Sequence, residues 1–287
     1  SLSNQMACLV SKNEMLAEVC NFSNLYSKVK GLFIAENKRN YKKVNDEFLV
    51  NDIDKFGFFA SILYSYCKPA YLLKINSDAP IIELFPKLHL QEYTVKDIGM
   101  AVRKLNALSY CSLEEYFVNL HGLFNTTKNK RVKSLINSLL PIEFDSEEVW
   151  QEKIARSCGF RKVKFNDAVF QDFLKVDFDE LIHWMNYINS NKTDSPVNVM
   201  TCHSSKGLEY ENVIVFLNDK MNKRHTYFSS LLNSDLNVEL SPDLEEVRRL
   251  LYVSTSRAIK NLRVVLFSDN ELQKDSIQKI FKDCLFF

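Results

Sequence analysis

From Val197 to Leu217 the chain reads VNVMTCHSSKGLEYENVIVFL, in which two short apolar runs enclose a loop of hydroxyl, imidazole, ammonium, glycine and carboxylate groups. Thr201 and His203 can donate to phosphate oxygens, Gly207 permits close backbone approach or unusual dihedrals, and Glu209 can accept from ribose hydroxyls. This set suits phosphate, ribose or a nucleic-acid strand. The same residues also suit a polar surface turn, with Gly207 present for geometry. About forty residues later comes RRLLYVSTSRA, Arg248 to Ala258, which places Arg257 near the end of a predicted helix. There it can neutralise the helix dipole and do nothing more.

The elements that must position these groups are read from periodicity. Runs at 197–201, 213–217 and 262–267 are strand-like, and a helix is expected from about Asp243 to Ile259. Its signals are Ser241 as N-cap, Pro242 at the first helical position, Asp243 complementing the dipole, and a buried stripe of Leu244, Val247, Leu251 and Ala258. If 197–201 lies in a parallel sheet, the loop Cys202 to Glu211 leaves its carboxyl end, where open α/β sheets bind ligands.

Upstream, Met6–Val10 is an apolar strand candidate followed by a helix from Asn13 to about Tyr26. Gly31–Ile34 is a second strand candidate, Lys38–Glu47 a polar connection, and Asp52–Cys67 a helix that Pro69 ends. Between Ala70 and Pro196 helical periodicity dominates, with helices near Ile81–Leu84, Val95–Ala107, Leu113–Leu123, Lys128–Leu140, Glu147–Ser157, Asp167–Lys175 and Asp179–Asn191. The linker NSNKTDSP closes that segment. Strands alternating with helices predict a mostly parallel α/β sheet, interrupted by a helical inserted subdomain. The expected divisions are 1–69, 70–196 and 197–287.

Several chemistries are excluded. The six glycines lie at 31, 57, 99, 122, 159 and 207, too sparse for a GxxxxGK[ST] phosphate loop or a GxGxxG dinucleotide loop. His89, His121, His183, His203 and His225 are isolated, with no HxxxH or HxxEH spacing, so no metal site is expected. A GxSxG elbow is absent. The seven cysteines are scattered singly without a CxxC pair, which suits reduced thiols in a cytosolic protein.

Hydrophobic residues make up 46% and charged residues 25% of 287 residues, a globular composition with room for one large or two ordinary domains. No apolar run approaches the roughly 18–20 residues that cross a bilayer. The N-terminus has no secretory pattern, so the expected location is cytoplasmic without membrane contact. The formal charge of +1 carries no information on partners. Basic clusters at Lys128–Lys133, Arg161–Lys164 and Lys220–His225 can follow a phosphate backbone or form solvated faces. Ser1 and Leu2 stand where an initiator Met would, and an excised piece of a longer chain is expected.

Thr201, His203, Ser205, Lys206, Gly207, Leu208, Glu209 and Tyr210 match the pattern T-x-H-x-[SA]-K-G-L-E-[FY]. Glu245 to Ala258 follow E-E-x-R-R-L-x-Y-V-[GA]-x-T-R-A, with Ser254 at a usually Gly or Ala position and Ser256 for the usual Thr. In this pair of motifs the chain resembles the C-terminal portion of the UvrD/Rep-like superfamily 1 DNA helicases. The resemblance implies a second RecA-like motor domain, a P-loop NTPase-type fold lacking the P-loop, with a helical insertion. It also implies ATP and Mg²⁺ as cofactors, with the P-loop and Mg²⁺ ligands in an N-terminal RecA-like domain, and single-stranded or partly duplex DNA as partner. Translocation is normally 3′ to 5′ in such motors.

On the same ground Thr201, His203 and Ser204 would face DNA and Gly207 and Glu209 the nucleotide, with Lys206 in the site. Arg257 would be the arginine finger, whose planar, permanently charged guanidinium neutralises charge on the transferred phosphoryl group. An arginine-bearing motif is expected just upstream of residue 6. Two alternatives stay open: a non-motor, helicase-derived binding or interaction module, and the helicase component of a nuclease or repair complex.

Overall fold

The computed structural model describes residues 6–37, 43–50, 52–75, 80–85, 92–139, 150–190, 197–220, 226–234, 241–269, 277–278 and 281. In chain order the elements are β1 (Met6–Val10), α1 (Asn13–Val19), α2 (Ser23–Glu36), α3 (Lys43–Phe48), a 3₁₀ turn (Ile53–Lys55), α4 (Phe58–Ile75) and α5 (Ile81–Leu84). Then follow α6 (Val95–Asn106), α7 (Leu113–Thr126), α8 (Lys130–Ser138), α9 (Trp150–Ser157), α10 (Ala168–Leu174) and α11 (Phe178–Asn189). The last are β2 (Val197–Thr201), β3 (Tyr210–Asn218), α12 (Ser229–Leu232), α13 (Pro242–Thr255) and β4 (Ala258–Phe267). By contacts the chain parts into two compact units, residues 1–19 with 190–287, and residues 20–189.

The first unit holds a sheet of order β2-β1-β3-β4 in which every neighbouring pair is parallel. Val10 registers with Thr201 on one side and with Phe216 on the other. On β3 the alternation of Val213, Val215 and Leu217 with less buried neighbours gives one core face. That face packs with Ala7 and Leu9 of β1 against Phe228, Leu231 and Leu232 around α12 and Val247, Leu250 and Leu251 of α13. Each Val, Leu and Phe side chain among them contributes about 1.5–3 kcal/mol on full burial. Ser241 caps α13, its hydroxyl accepting from the Leu244 N–H at 3.4 Å, with Pro242 in the first turn. The architecture is the expected α/β class with a parallel RecA-like sheet.

The second unit is helical among its described residues and has an aromatic centre. Trp184, fully buried, stacks on Phe48 at 4.6 Å and Phe56 at 5.8 Å, and its indole N–H donates to the Phe48 carbonyl at 3.1 Å. Tyr187 likewise donates to the Leu49 carbonyl at 2.9 Å. These bonds satisfy the polar ends of rings whose bodies fill the core.

The structure corrects several local expectations. Residues 31–34 belong to helix α2, where Leu25, Val29, Leu32 and Phe33 continue a 3.6-residue stripe. A four-residue apolar run cannot by itself be told from a buried helix segment. The helix expected over 13–26 is two helices, parted at Asn21 (φ 58°), since asparagine tolerates the left-handed region that ends helices. Lys43–Phe48 is helical within the expected connection. The helix expected from Asp52 begins at Phe58, after a 3₁₀ turn that Asp52 caps. Pro69 lies inside α4 because buried Tyr66, Cys67, Ala70 and Leu72 carry the stripe across it. That packing outweighs a proline cost of about 3 kcal/mol. Ala258 and Ile259 open β4 and do not extend α13. The units part at 19/20 and 189/190, which places residues 20–69 with the helices. Of the linker NSNKTDSP, positions 191–196 lie outside the described residues.

Candidate functional site

Thr201 ends β2 at the carboxyl edge of the sheet, and the chain turns there at once. The Ser204 N–H and hydroxyl both meet Thr201 Oγ1, at 3.2 and 2.8 Å, forming a hydroxyl-closed turn. His203 and Ser204 are exposed on this turn. Beneath them Cys202 and Ser205 are fully buried, and the Ser205 hydroxyl donates to the Cys202 carbonyl at 2.8 Å. Buried anchors alternating with exposed polar groups hold the turn while leaving Thr201, His203 and Ser204 on one edge. Burial pushes the Cys202 thiol up to about 12, partly offset by a hydrogen bond with Ser254 of α13, so this cysteine is an inert wedge.

The other half of the loop lies elsewhere. Thr201 shares a register row with Phe216, whereas the loop rejoins the sheet at Tyr210. Six residues separate those two positions on β3, about 20 Å at ~3.3 Å per residue. The segment 202–209 therefore spans the sheet from its carboxyl edge to the amino ends of β3 and β4. Only its first half leaves from the carboxyl end as expected. Lys206, Gly207, Leu208 and Glu209 are exposed, and Gly207 holds φ 84° in the left-handed region.

Arg257 waits at that amino end. Its backbone carbonyl accepts from the Tyr210 N–H at 2.9 Å, which seats it beside the returning loop. Its Nε donates to the Val253 carbonyl at 2.9 Å, its Nη1 to the Leu208 carbonyl at 3.1 Å and its Nη2 to Ser256 Oγ at 2.9 Å. The first bond satisfies an orphan carbonyl of the α13 C-terminus, the plainer role open to this arginine. The second ties the two motif segments directly together. Ser254 shows why its position is small: fully buried, it donates to the Leu250 and Leu251 carbonyls and meets Cys202.

The structure thus brings Glu209 and Arg257 toward one edge, tied through Leu208 and Tyr210, and Thr201, His203 and Ser204 to the opposite one, while the Lys206 N–H donates to the His203 carbonyl at 3.3 Å and Gly207 lies between. The clusters Lys128–Lys133 and Arg161–Lys164 belong to the helical unit, and 221–225 lie outside the described residues. Sequence reasoning passed over Ser11 and Lys12, which follow β1 between the ends of β2 and β3. The missed signal is a hydroxyl and an ammonium directly after an apolar strand, the same pattern that made Thr201–Ser204 conspicuous.

Two comparisons bear on this geometry. The UvrD-like helicase C-terminal domain model matches residues 24–269. Gabija protein GajB of Bacillus cereus (strain HuB5-5) is 28% identical over 288 residues, covering 97% of this chain and 42% of that protein. ATP-dependent DNA helicase Rep of Buchnera aphidicola subsp. Schizaphis graminum (strain Sg) is 27% identical over 202 residues, covering 67% of this chain and 27% of that protein. The chain spans less than half the length of these curated relatives. With the family model matched over most of its length, on a parallel sheet that joins both motif segments, the chain belongs to the UvrD-like helicase C-terminal domain family.

Proposed function

We propose that this chain is the C-terminal motor half of an ATP-dependent DNA helicase or translocase, moving 3′ to 5′ on single-stranded DNA. Thr201, His203 and Ser204 hold the strand at the carboxyl edge of the sheet, while Lys206, Gly207, Glu209 and Arg257 meet the nucleotide, with Glu209 and Arg257 toward the amino edge. The observation that carries this reading is the Arg257 Nη1 bond to the Leu208 carbonyl, which fastens the candidate finger to the loop that runs to the other edge. A nucleotide-induced pull on Leu208 has a covalent path of seven residues to Thr201.

The residues present fit part of a nucleotide site. Gly207 allows close backbone approach, the exposed Glu209 carboxylate can accept from ribose hydroxyls, and Arg257 can balance phosphate charge. Among the described residues no three His, Cys, Asp or Glu side chains gather as a metal site, so the reading assigns the Mg²⁺ ligands and the P-loop to an N-terminal RecA-like domain. Bound Mg-ATP supplies the transferable phosphoryl group. Arg257 meets that group with the remaining N–H donors of Nη1 and Nη2, keeps the Leu208 carbonyl, and offsets the developing charge, an effect commonly of 10³–10⁵ in turnover.

In the full-length protein, Arg257→Ala is expected to lower single-strand-stimulated ATP hydrolysis by about 10³ or more, with nucleotide affinity largely kept. Normal turnover removes the finger assignment. One observation favours a second reading, a non-motor binding module: all three guanidinium nitrogens of Arg257 already have protein acceptors. On that reading the same variant loses stability and has no turnover to lose.

A further inference from the structure

We propose that Lys12 and Lys220 are further phosphate-contacting residues, forming with His203 a row across the carboxyl ends of β2, β1 and β3 that takes phosphates of one nucleic-acid strand. This rests on the reading of that edge as the DNA-facing one.

The row follows from register. Val10, Thr201 and Phe216 stand level on neighbouring strands. The pairing persists one step beyond, since the Cys202 N–H donates to the Val10 carbonyl at 2.9 Å and the Ser11 N–H to the Phe216 carbonyl at 3.0 Å. The Asn218 N–H donates to Ser11 Oγ at 3.2 Å. Lys12, His203 and Asn218 are therefore each two residues past one row, on strands about 4.8 Å apart. Lys220 closes over the end of β3, its N–H donating to Asn218 Oδ1 at 2.8 Å. Chain segments distant in sequence thus deliver two ammonium groups and an imidazole to one edge.

Carboxylates stand beside both ammonium groups, Glu14 near Lys12 and Asp269 on Lys220, while the buried Asp219 is engaged by the Phe228 and Ser229 N–H groups and the Ser268 hydroxyl. Lys12 is pushed below its ordinary range by burial, with Glu14 opposing and the Lys220 charge adding to the push. The two ammonium groups therefore repel across the edge. Asp269 meets Lys220 at 2.5 Å, but both side chains are exposed, and such surface pairs are worth little. A phosphate between Lys12 and Lys220 relieves their repulsion and replaces a weak partner, an exchange that folding alone has no use for.

The test uses the full-length protein and a labelled oligothymidylate, with affinity followed by fluorescence anisotropy across a salt series. Lys12→Gln and Lys220→Gln are each expected to weaken binding about fivefold near 0.1 M salt and to flatten the log affinity versus log salt slope by about 0.7, the value for one single-strand phosphate contact. Lys12→Arg should keep affinity and slope, and melting curves of all variants should match the wild type. An unchanged slope in a normally melting double Gln variant overturns the row; if His203→Ala still weakens binding, the DNA edge itself stands. A wild-type protein that does not bind the oligonucleotide overturns the DNA edge, and the row with it.

Discussion

At the scale of single residues, charge is placed where backbone groups of the opposite hydrogen-bonding sense converge. Arg257 spends its fork on the carbonyls of Val253 and Leu208 and on the Ser256 hydroxyl, so the serine found where the family pattern has threonine keeps its acceptor in use. Glu36 does the converse in the helical unit, where its Oε2 accepts the N–H groups of Arg161, Lys162 and Val163 at 3.1, 2.8 and 3.1 Å. Partial burial pushes that carboxyl up, but the three backbone bonds and the Lys162 charge outweigh it and hold the group below its ordinary value. A depressed folded-state value contributes stability above the unfolded value, about 4.3, that is lost as pH falls through the folded one. Glu36→Gln is therefore expected to melt below the wild type at pH 7, with the difference closing below about pH 4. Equal melting midpoints at both pH values would show that the three bonds carry no net stability.

At the scale of elements, the loop 202–209 decides how the site works. It crosses from one sheet edge to the other in eight residues, pinned by buried Cys202 and Ser205 and re-entering at Tyr210. Gly207 is its joint. A Cβ there meets nothing within 4 Å, so the cost of Gly207→Ala is the left-handed backbone alone, about 1–2 kcal/mol. In the full-length protein that variant is expected to fold, to melt lower by roughly that free energy, and to lose more of its single-strand-stimulated than of its basal ATP hydrolysis. Full stimulation would show that the loop transmits nothing. The ends of this element were legible because an apolar run gives way abruptly to hydroxyl, imidazole and ammonium groups. Its span was not, because a loop that stays at one edge and a loop that crosses the sheet have the same local composition.

At the scale of the whole molecule, residues 1–19 and 190–287 form the sheet unit and residues 20–189 form a helical unit. Residues 1–287 carry no closely spaced glycines for a phosphate loop, so the proposed site is half of one. Purified alone, they are expected to hydrolyse no ATP above background, with or without single-stranded DNA, as followed by phosphate release. Robust hydrolysis would overturn the half-site reading. Helix α2 belongs to the same scale, because whether Gly31–Ile34 extends a helix or forms a strand depends on what covers it, and α10 covers α2.

The sequence by itself determined the chemistry on offer, the two motif segments, the helix cap at Ser241 and the parallel class of the sheet. Side-chain type and hydrophobic period are properties of neighbouring residues, and they survive without a third dimension. Only the tertiary structure decided that Thr201 and Arg257 stand at opposite edges, that Arg257 reaches the Leu208 carbonyl, and that Lys12, His203 and Lys220 follow the ends of neighbouring strands. Those facts follow from strand order and register, which are set by burying Ala7, Leu9, Val213 and Val215 beneath α13. A one-residue slip in that register would turn every side chain of a strand to the other face, and no window of sequence contains both partners.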